Sequence, residues 1–403
     1  MTSNSKNAYL AVGYACNQRC RCCPLIDKEH RKMIVSLDDI KKEATIMKNL
    51  GVTDVTISGG EPTIHPNFFE IIDFFFDQGI AVHILSNGEK FADKEFLTKF
   101  LQMSRNHEVS VTTTFHSHIA EEHEYQNQSK GSFERSLSGV RALDINNINV
   151  SVKHCITSNN YNNLPQFLDF VLNNFSVNAE IQFWGIDLCG IDEQLAKESF
   201  VDYKLISKFM EITLDLFESR SEPRGRVLTI NNLPLCMLDA YYWKYFTSPE
   251  MDTYIEHMQE GRKMDAISGP ASKRCFNCRF RAYCPGVYYS NFDIIGDDIV
   301  SPPPEEMNLA SYNPAVVSYC GERIDLTYIS PFVQIELHPS GFRIRNIRTG
   351  ECASLRIKTE QMKFLLKNLE NGVLDEDLLN ILTGFNVDAQ NVMNELMLKG
   401  IIE

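Results

Sequence analysis

The sequence lacks a long uninterrupted apolar segment, which argues against a membrane-spanning helix. Such a helix needs about 18 consecutive apolar residues. The richest stretch, FFEIIDFFFDQGIAVHIL, carries Glu70, Asp73 and Asp77 at helical spacing. The first residues, MTSNSKN, also lack the apolar core of a secretory signal. We therefore expect a cytoplasmic protein that is not held in a membrane.

Positive charge is also in short supply. Lys and Arg number 39 against 53 Asp and Glu, so the formal net charge is −14. A nucleic-acid surface needs clustered cations to neutralise phosphates, so this composition disfavours nucleic acid as a partner. The length of 403 residues suggests two or three domains.

Cysteine, in contrast, is abundant and clustered. Twelve cysteines without a secretory signal favour metal or redox chemistry over a disulfide framework. Four of them lie in the stretch YACNQRCRCCPLID. The spacing C-x3-C-x2-C of Cys16, Cys20 and Cys23 offers three thiolates on one loop, which is typical of an iron–sulfur cluster with one open iron. A zinc site is the alternative, although no second cysteine pair stands at a matching distance.

Short β-rich runs alternate with amphipathic segments over the first 200 residues. Strands are predicted at 8–13, 54–58, 81–85, 108–114, 148–156 and 179–184. Alternation of this kind predicts parallel strands with right-handed crossovers, in a partial (β/α)6 barrel or an open α/β sheet. Loops at the carboxyl ends of parallel strands converge on one mouth, so we expect the site there.

Three domains are predicted from the changes in pattern along the chain. The barrel would occupy 1–200, a loop-rich metal-dependent module 201–304, and a small winged-helix-like α+β domain 305–403. The proline run SPPPEE, residues 301–306, marks the second border. Short strands followed by helices at 359–370, 375–382 and 388–399 are predicted in the last domain.

The cysteine loop, placed directly after the first predicted strand, resembles the signature of radical S-adenosylmethionine (SAM) enzymes. In that family three cysteines hold a [4Fe–4S] cluster whose open iron binds SAM, and one electron then cleaves SAM to a 5′-deoxyadenosyl radical. The resemblance implies that Cys16, Cys20 and Cys23 hold this cluster. The family usually has an aromatic residue where this chain has Cys22, which we interpret as a packing residue.

Three further motifs resemble the family's SAM-binding turns. GGEP at 59–62 ends the second predicted strand, where glycines permit close approach and carbonyls and a carboxylate can accept from an ammonium. SNG at 86–88 resembles the family's T-N-G turn, and a threonine ends the fourth strand where related enzymes often bind ribose. An ordinary turn and an ordinary strand threonine are the alternatives. The implied SAM-binding residues are Gly59, Gly60, Glu61, Pro62, Ser86, Asn87 and Thr114.

A second cysteine run resembles the auxiliary-cluster segment of the SPASM and twitch extensions of this family. Its members are Cys275, Cys278 and Cys284, followed by Pro-Gly. The full SPASM pattern has another cysteine where this chain has Tyr288. The resemblance therefore implies one auxiliary [4Fe–4S] cluster of the twitch kind, with a zinc knuckle as the alternative.

The fourth ligand of that cluster is open among three cysteines. We favour Cys236, because its rivals Cys320 and Cys352 follow the proline run. Cys155 and Cys189 are interpreted as packing residues, since buried thiols behave as small hydrophobes. Other polar residues near strand ends are possible pocket residues, with structural roles more frequent for the histidines: His65, His116, His118, Arg135, Lys153 and Gln182.

The last predicted domain resembles the peptide-recognition elements of ribosomal peptide pathways, which capture a leader peptide as an added strand. A structural cap is one alternative, and DNA binding is disfavoured by the acidic helices. The combined resemblance implies an enzyme that abstracts hydrogen from a precursor peptide to form a crosslink, cyclophane or thioether, or to epimerise it. A radical SAM dehydrogenase or cofactor-biosynthesis enzyme acting on a small molecule is the alternative, and a non-catalytic metal-binding regulator is the third reading. Flavodoxin or ferredoxin is the implied reductant.

Overall fold

A computed structural model gives the fold of the protein. It describes residues 7–23, 32–220, 225–247, 253–257, 262–263, 268–276, 278, 280–281, 284–302, 316–317, 333–338, 341–346, 351–371, 373, 375–399 and 401–402. The amino terminus at 1–6, most of the proline run and Cys320 lie outside the described residues.

The chain divides into two compact units. The first comprises Met1–Leu233, Pro249–Ala271 and Gly286–Ile299. The second comprises Pro234–Ser248, Ser272–Pro285 and Val300–Glu403. The division into three domains, with borders near 200 and 304, stays a prediction.

A nine-stranded sheet forms the centre of the first unit, in the order β7-β6-β5-β4-β3-β2-β1-β8-β9. All neighbouring pairs are parallel except β8 with β9. The predicted partial barrel is confirmed, and its six predicted strands are β1 to β6. The strands are β1 (Asn7–Ala11), β2 (Asp54–Ser58), β3 (Ala81–Ser86), β4 (Val109–Thr114), β5 (Asn149–Cys155), β6 (Glu180–Trp184), β7 (Leu228–Asn231), β8 (Thr253–His257) and β9 (Arg262–Lys263).

Helices connect most of these strands, as parallel crossovers require. The first begins after Ser36, whose hydroxyl accepts from the Asp39 backbone N–H at 3.2 Å and so caps the helix. The helices are α1 (Leu37–Asn49), α2 (Phe68–Asp77), α3 (Lys94–Ser104), α4 (Ala120–Asn127), α5 (Ser132–Ile145), α6 (Leu164–Asn174), α7 (Glu193–Ser199), α8 (Tyr203–Ser219) and α9 (Tyr289–Ile294). A short antiparallel pair, β10 (Ser268–Gly269) with β11 (Val287–Tyr288), completes the unit.

The two faces of strands β3 to β7 differ in chemistry. One face is buried and mainly apolar, with Ile84, Val111, Val152 and Phe183 among its members. The opposite face, called here the polar face, alternates with it along each strand. From the register of the strands, the polar face carries Ala81, His83, Leu85, Ser110, Thr112, Thr114, Asn149, Ser151, Lys153, Cys155, Glu180, Gln182, Trp184, Thr229 and Asn231.

The second unit contains a four-stranded antiparallel sheet and three helices around one apolar core. The sheet order is β12-β13-β14-β15, so β15 lies at its edge. The predicted helices are present as α10, α11 and α12, because their buried positions recur at helical spacing. The elements are β12 (Val316–Val317), β13 (Val333–His338), β14 (Gly341–Asn346), β15 (Cys352–Leu355), α10 (Thr359–Asn371), α11 (Asp375–Gly384) and α12 (Ala389–Leu398). None of the helices that the structure describes has the length and apolar character needed to cross a bilayer.

Candidate functional site

The cysteine loop and the GGEP turn are joined directly through their backbones. The Gly60 N–H donates to the Gly13 carbonyl at 2.8 Å, and the Glu61 N–H donates to the Ala15 carbonyl at 2.8 Å. Cys16 follows at once, so the first cysteine is positioned by the end of β2 as well as by β1. The two predicted motifs therefore form one structure at the carboxyl ends of neighbouring strands.

Glycine is required at both positions of this junction. A Cβ atom on Gly59 would lie 2.0 Å from the Gly13 carbonyl oxygen, and one on Gly60 would lie 2.1 Å from the Ala15 carbonyl oxygen. Backbone atoms cannot yield at such distances as a flexible side chain can. The sequence pattern suggested close approach to a ligand, whereas the structure shows that these glycines first permit close approach of two backbones.

Glu61 lies fully inside this junction and links it to the end of β3. Its carboxylate accepts from the Thr63 hydroxyl (2.6 Å), the Ser86 hydroxyl (2.8 Å) and the Asn87 backbone N–H (2.6 Å). Burial raises the pKa of this carboxyl, while the same hydrogen bonds lower it. Glu61 thus holds the GGEP turn and the SNG turn together.

A second buried carboxylate, which no sequence motif indicates, holds the cysteine loop. Glu89 accepts from the Gln18 side-chain amide at 2.7 Å, from the Asn17 side-chain amide at 3.3 Å and from Arg135 Nε at 2.6 Å. Asn87 adds a further link, since its side chain donates to Asn17 at 2.7 Å. Arg135 was predicted as a pocket residue, and the structure places it in this ion pair.

The far side of the cysteine loop rests on the end of α4. The Arg19 N–H donates to the Asn127 carbonyl at 2.9 Å, and the Arg21 N–H donates to the Gln126 carbonyl at 2.8 Å. The Asn127 side chain is buried and donates to the Ser132 hydroxyl at 2.8 Å. Hydrogen bonds within the chain therefore hold the cysteine loop on two sides.

The three predicted ligands lie close enough to influence one another. Burial raises the pKa of Cys20 well above its ordinary value, and the negative charges of neighbouring thiolates, Cys16 and Cys23 among them, raise it further. The Gln18 N–H donates to the Cys16 sulfur at 3.4 Å, which favours a thiolate there. No group of three or more His, Cys, Asp or Glu side chains within the described ranges is already arranged to hold a metal ion.

These features fit a bound cluster, because iron supplies the positive charge that deprotonates such thiols. Cys22 differs from its neighbours in its surroundings. It is buried in an apolar cluster with Ile186, Leu188, Ile191 and Ala196. Burial raises its pKa to about 12, with a smaller contribution from Cys155. This environment agrees with a packing role.

Thr114 occupies the polar face at the end of β4, in one row with Lys153 and Gln182 across the sheet. Gln182 donates to Glu180 at 3.0 Å and accepts from the Trp184 indole N–H at 3.0 Å. The row lies at the mouth where strand ends converge. Cys155 shares the polar face, whereas Cys189 is exposed, so the packing interpretation of Cys189 was wrong.

Four histidines lie near the ends of β4 and β5, and we assign them structural roles and not binding roles at the mouth of the barrel. Burial lowers the pKa of His116 to about 3, of His123 to about 4 and of His154 to about 3. One ring nitrogen of each of these, and of His118, is buried and lacks a hydrogen-bond partner among the described residues. Neutral rings explain this arrangement. His65 is structural as well, since its ring lies 3.0 Å from the Val35 carbonyl.

The auxiliary cysteines come together within the second unit. Burial raises the pKa of Cys236 to about 11, and the charges of Cys275 and Cys278 raise it further. The Leu235 N–H donates to the Cys284 sulfur at 3.4 Å. The rival Cys352 lies in β15, where its carbonyl accepts from Lys399. Cys236 therefore lies near Cys275 and Cys278, and its chain neighbour Leu235 contacts Cys284. The assignment of Cys236 as the fourth ligand stays a prediction.

Comparison with known proteins identifies the family of a domain within the first unit. Residues 10–171 match the radical SAM superfamily. The structural match with Streptococcus suis SuiB bound to the precursor peptide SuiA covers 72% of this chain and 73% of the SuiB chain. Its TM-score is 0.51 at 13% sequence identity. SuiB bound to S-adenosylmethionine gives a TM-score of 0.50. At this identity the likeness shows the fold alone.

Curated relatives match over shorter stretches. A probable GTP 3′,8-cyclase of Saccharolobus islandicus is 24% identical over 204 residues, which are 50% of this chain and 63% of the relative. The Bacillus subtilis antilisterial bacteriocin subtilosin biosynthesis protein AlbA is 29% identical over 154 residues, or 38% of this chain and 34% of AlbA. Residues 10–171 therefore carry a radical SAM domain, and the chain spans less than two thirds of the length of these curated relatives. In that superfamily the domain binds a [4Fe–4S] cluster and SAM.

We expect Gly60→Ala to disrupt the junction of the two loops. The added methyl group must displace the Ala15 carbonyl, so the free energy of unfolding should fall by more than about 2 kcal/mol and iron loading should fall with it. Thermal unfolding and iron analysis measure both. Gly384→Ala is the matched control, because a Cβ there meets nothing within 4 Å. Equal effects of the two variants would refute the junction's role.

The buried histidines should make the protein sensitive to mild acid. Their folded pKa values of about 3 to 4 lie below the ordinary value near 6.5, so the unfolded chain binds more protons and stability falls as pH drops from about 7 towards 4. Each histidine contributes a slope of up to about 1.4 kcal/mol per pH unit. Urea unfolding between pH 7.5 and 5.5 measures it.

His123→Gln provides the control for this prediction. The backbone N–H of His116 donates a hydrogen bond to the His123 ring at 3.2 Å. Glutamine at position 123 retains an acceptor for this bond but does not titrate. The slope of stability against pH should decrease by about one proton in this variant. An unchanged slope would show that the histidines are not responsible.

Proposed function

We propose that this radical SAM enzyme modifies a ribosomally synthesised precursor peptide. The observation that carries the proposal is the composition of the second unit. It contains the four cysteines Cys236, Cys275, Cys278 and Cys284, and it has a separate sheet in which β15 is the last strand among the described residues. Similarity to SuiB and AlbA supports the proposal, since SuiB is seen with a precursor peptide and AlbA serves bacteriocin biosynthesis.

In the proposed site, Cys16, Cys20 and Cys23 would hold the cluster, which with SAM supplies a 5′-deoxyadenosyl radical. The chain's own residues position and enclose this chemistry. Gly59, Gly60 and Pro62 shape the turn that would face the methionine part of SAM. Glu61 fixes the turn to Ser86 and Asn87, and Thr114 presents a hydroxyl from the next strand.

The auxiliary cluster of the proposal would be held by Cys236, Cys275, Cys278 and Cys284. The donor set fits, because four thiols are the usual ligand complement of a [4Fe–4S] cluster. The Trp243 ring packs on Phe280 at 4.6 Å and donates its N–H to the Leu235 carbonyl at 2.9 Å, which orders the chain on both sides of the cysteines. Such a cluster would accept the one electron that remains when the substrate radical forms a crosslink and loses a proton.

We further propose that the leader of the peptide binds along β15. An edge strand accepts a further strand through backbone hydrogen bonds, and alternate side chains then give specificity. β15 has the apolar core of its unit on one side, with Ala353 and Leu355 buried. The proposed partners are thus the precursor peptide and a flavodoxin or ferredoxin reductant.

A small-molecule substrate is the second candidate, and the cyclase relatives favour it. A nucleoside triphosphate needs several cations to balance its phosphates. The polar face of β3 to β7, which the structure describes completely, carries one lysine and no arginine. The local charge therefore favours a peptide over GTP.

The test uses the anaerobically reconstituted, reduced enzyme with SAM. Synthetic peptides from each short open reading frame beside the gene are compared with GTP, and 5′-deoxyadenosine and product mass are measured. A peptide should increase 5′-deoxyadenosine and lose two hydrogens, or take up deuterium from D2O, and GTP should do neither. The triple variant Cys16→Ala, Cys20→Ala, Cys23→Ala should be inactive. Consumption of GTP instead of peptide would overturn the proposal.

Iron content tests the auxiliary ligands separately. Two [4Fe–4S] clusters give about eight iron atoms per chain. Cys236→Ala should reduce this number towards about four, or to a damaged cluster visible by electron paramagnetic resonance, whereas Cys352→Ala should leave it unchanged. The reverse pattern would assign the fourth ligand to Cys352. Zinc in place of iron would exclude the cluster.

A further inference from the structure

The polar face has very little formal charge. Of the fifteen residues that β3 to β7 place on it, only Lys153 and Glu180 carry a charged side chain, and His83 has its pKa lowered to about 4, mainly by burial. The remainder are hydroxyl, amide, thiol or apolar groups. A substrate on this face therefore meets one cation and one anion.

Glu180 is already occupied by neutral donors. Its carboxylate accepts from the Ser151 hydroxyl at 2.9 Å, from the Gln182 amide at 3.0 Å and from the Thr229 hydroxyl at 3.3 Å. These bonds stabilise the carboxylate without a counter-charge. Glu180 consequently has no need of Lys153.

Lys153 contacts an aromatic ring instead of an acid. Its ammonium lies 3.8 Å from the centroid of the Trp184 ring. No ion pair within the described ranges includes it. A cation on an aromatic ring is attracted by the negative face of the ring, yet it keeps its donor hydrogens for another acceptor. The positive charge acts on its neighbours, since it lowers the pKa of His83 and of His116 in addition to their burial.

We propose that Lys153, held over Trp184, is the binding site for a carboxylate of the substrate. A half-buried ammonium without an anion is unfavourable, and a carboxylate would supply both the missing charge and an acceptor. The identity of the substrate rests on the proposed function. Under that function, the carboxylate belongs to an acidic side chain of the peptide.

The position on the sheet favours the substrate over SAM as the source. Lys153 pairs with Thr114 in register, and Trp184 lies one strand further from the cysteine loop. With about 4.8 Å between strands, the ring is about 10 Å beyond the predicted ribose contact. The methionine carboxylate of SAM would lie on the opposite side, towards the cysteines and GGEP.

The test observes Lys153 directly. The loaded enzyme is reductively methylated with ¹³C-formaldehyde, and the dimethyl-lysine signal that Lys153→Arg removes is assigned to this residue. Trp184→Leu gives a second assignment, because loss of the ring current must move the same signal. SAM is then added to saturation, followed by N-acetylglutamate amide or its neutral match, N-acetylglutamine amide.

With SAM bound, the glutamate derivative should shift the Lys153 signal in a saturable way, and the glutamine derivative should shift it about five-fold less. Equal responses, or none, overturn the proposal. A shift on SAM alone that removes the response to glutamate assigns the subsite to the SAM carboxylate and also overturns it. A response to glutamate without any peptide modification would leave the subsite standing and reject the proposed function.

Discussion

Two backbone hydrogen bonds between the cysteine loop and the GGEP turn determine the geometry of everything at the mouth of the barrel. They are possible only because Gly59 and Gly60 have no Cβ atom, which would fall about 2 Å from a carbonyl oxygen. The buried carboxylate of Glu61 then extends the junction to the third strand, and Glu89 ties the cysteine loop to the same turn and to α5. The cysteines are thus preorganised by hydrogen bonds that do not involve them.

The asymmetry of the sheet leaves polar groups for the proposed chemistry mainly on one of its faces. Apolar side chains on one face pack under the helices, and this burial stabilises the unit. It also keeps His116, His123 and His154 neutral, so these rings act as packing groups and not as bases at the mouth. Each has one ring nitrogen without a hydrogen-bond partner among the residues that the structure describes. The polar face, in contrast, offers mostly neutral donors and acceptors. Hydrogen abstraction needs a positioned C–H bond and exclusion of water more than charge stabilisation, and such a lining suits that demand.

The fold was largely predictable where residue patterns are local. The six strands and most of the helices between them follow from apolar periodicity, which can be recognised in each segment by itself. The strands β7, β8 and β9 lie at the two sides of the sheet. They were missed because such strands acquire their identity from pairing more than from their own sequence. Helix α4, AEEHEYQN, was missed because its apolar positions show no helical stripe. Its carbonyls nevertheless support the cysteine loop, so a segment without a pattern carries a structural role.

The candidate site was predictable to the extent that its chemistry resides in spacing. The cysteine spacing and the GGEP motif indicated two loops that the structure joins through backbone hydrogen bonds. Glu89, Asn17 and Gln18 left no such signal, since Gln18 and Glu89 are 71 residues apart and meet only through the strand register. The same limit applies to Cys236, which spacing alone could not separate from Cys352. The fold brings Cys236 near Cys275 and Cys278, and this proximity supports the proposal that Cys236 is the fourth ligand. Residue spacing therefore indicates candidate ligands, and three-dimensional proximity reveals the carboxylates, Glu61 and Glu89, that hold the loops around them.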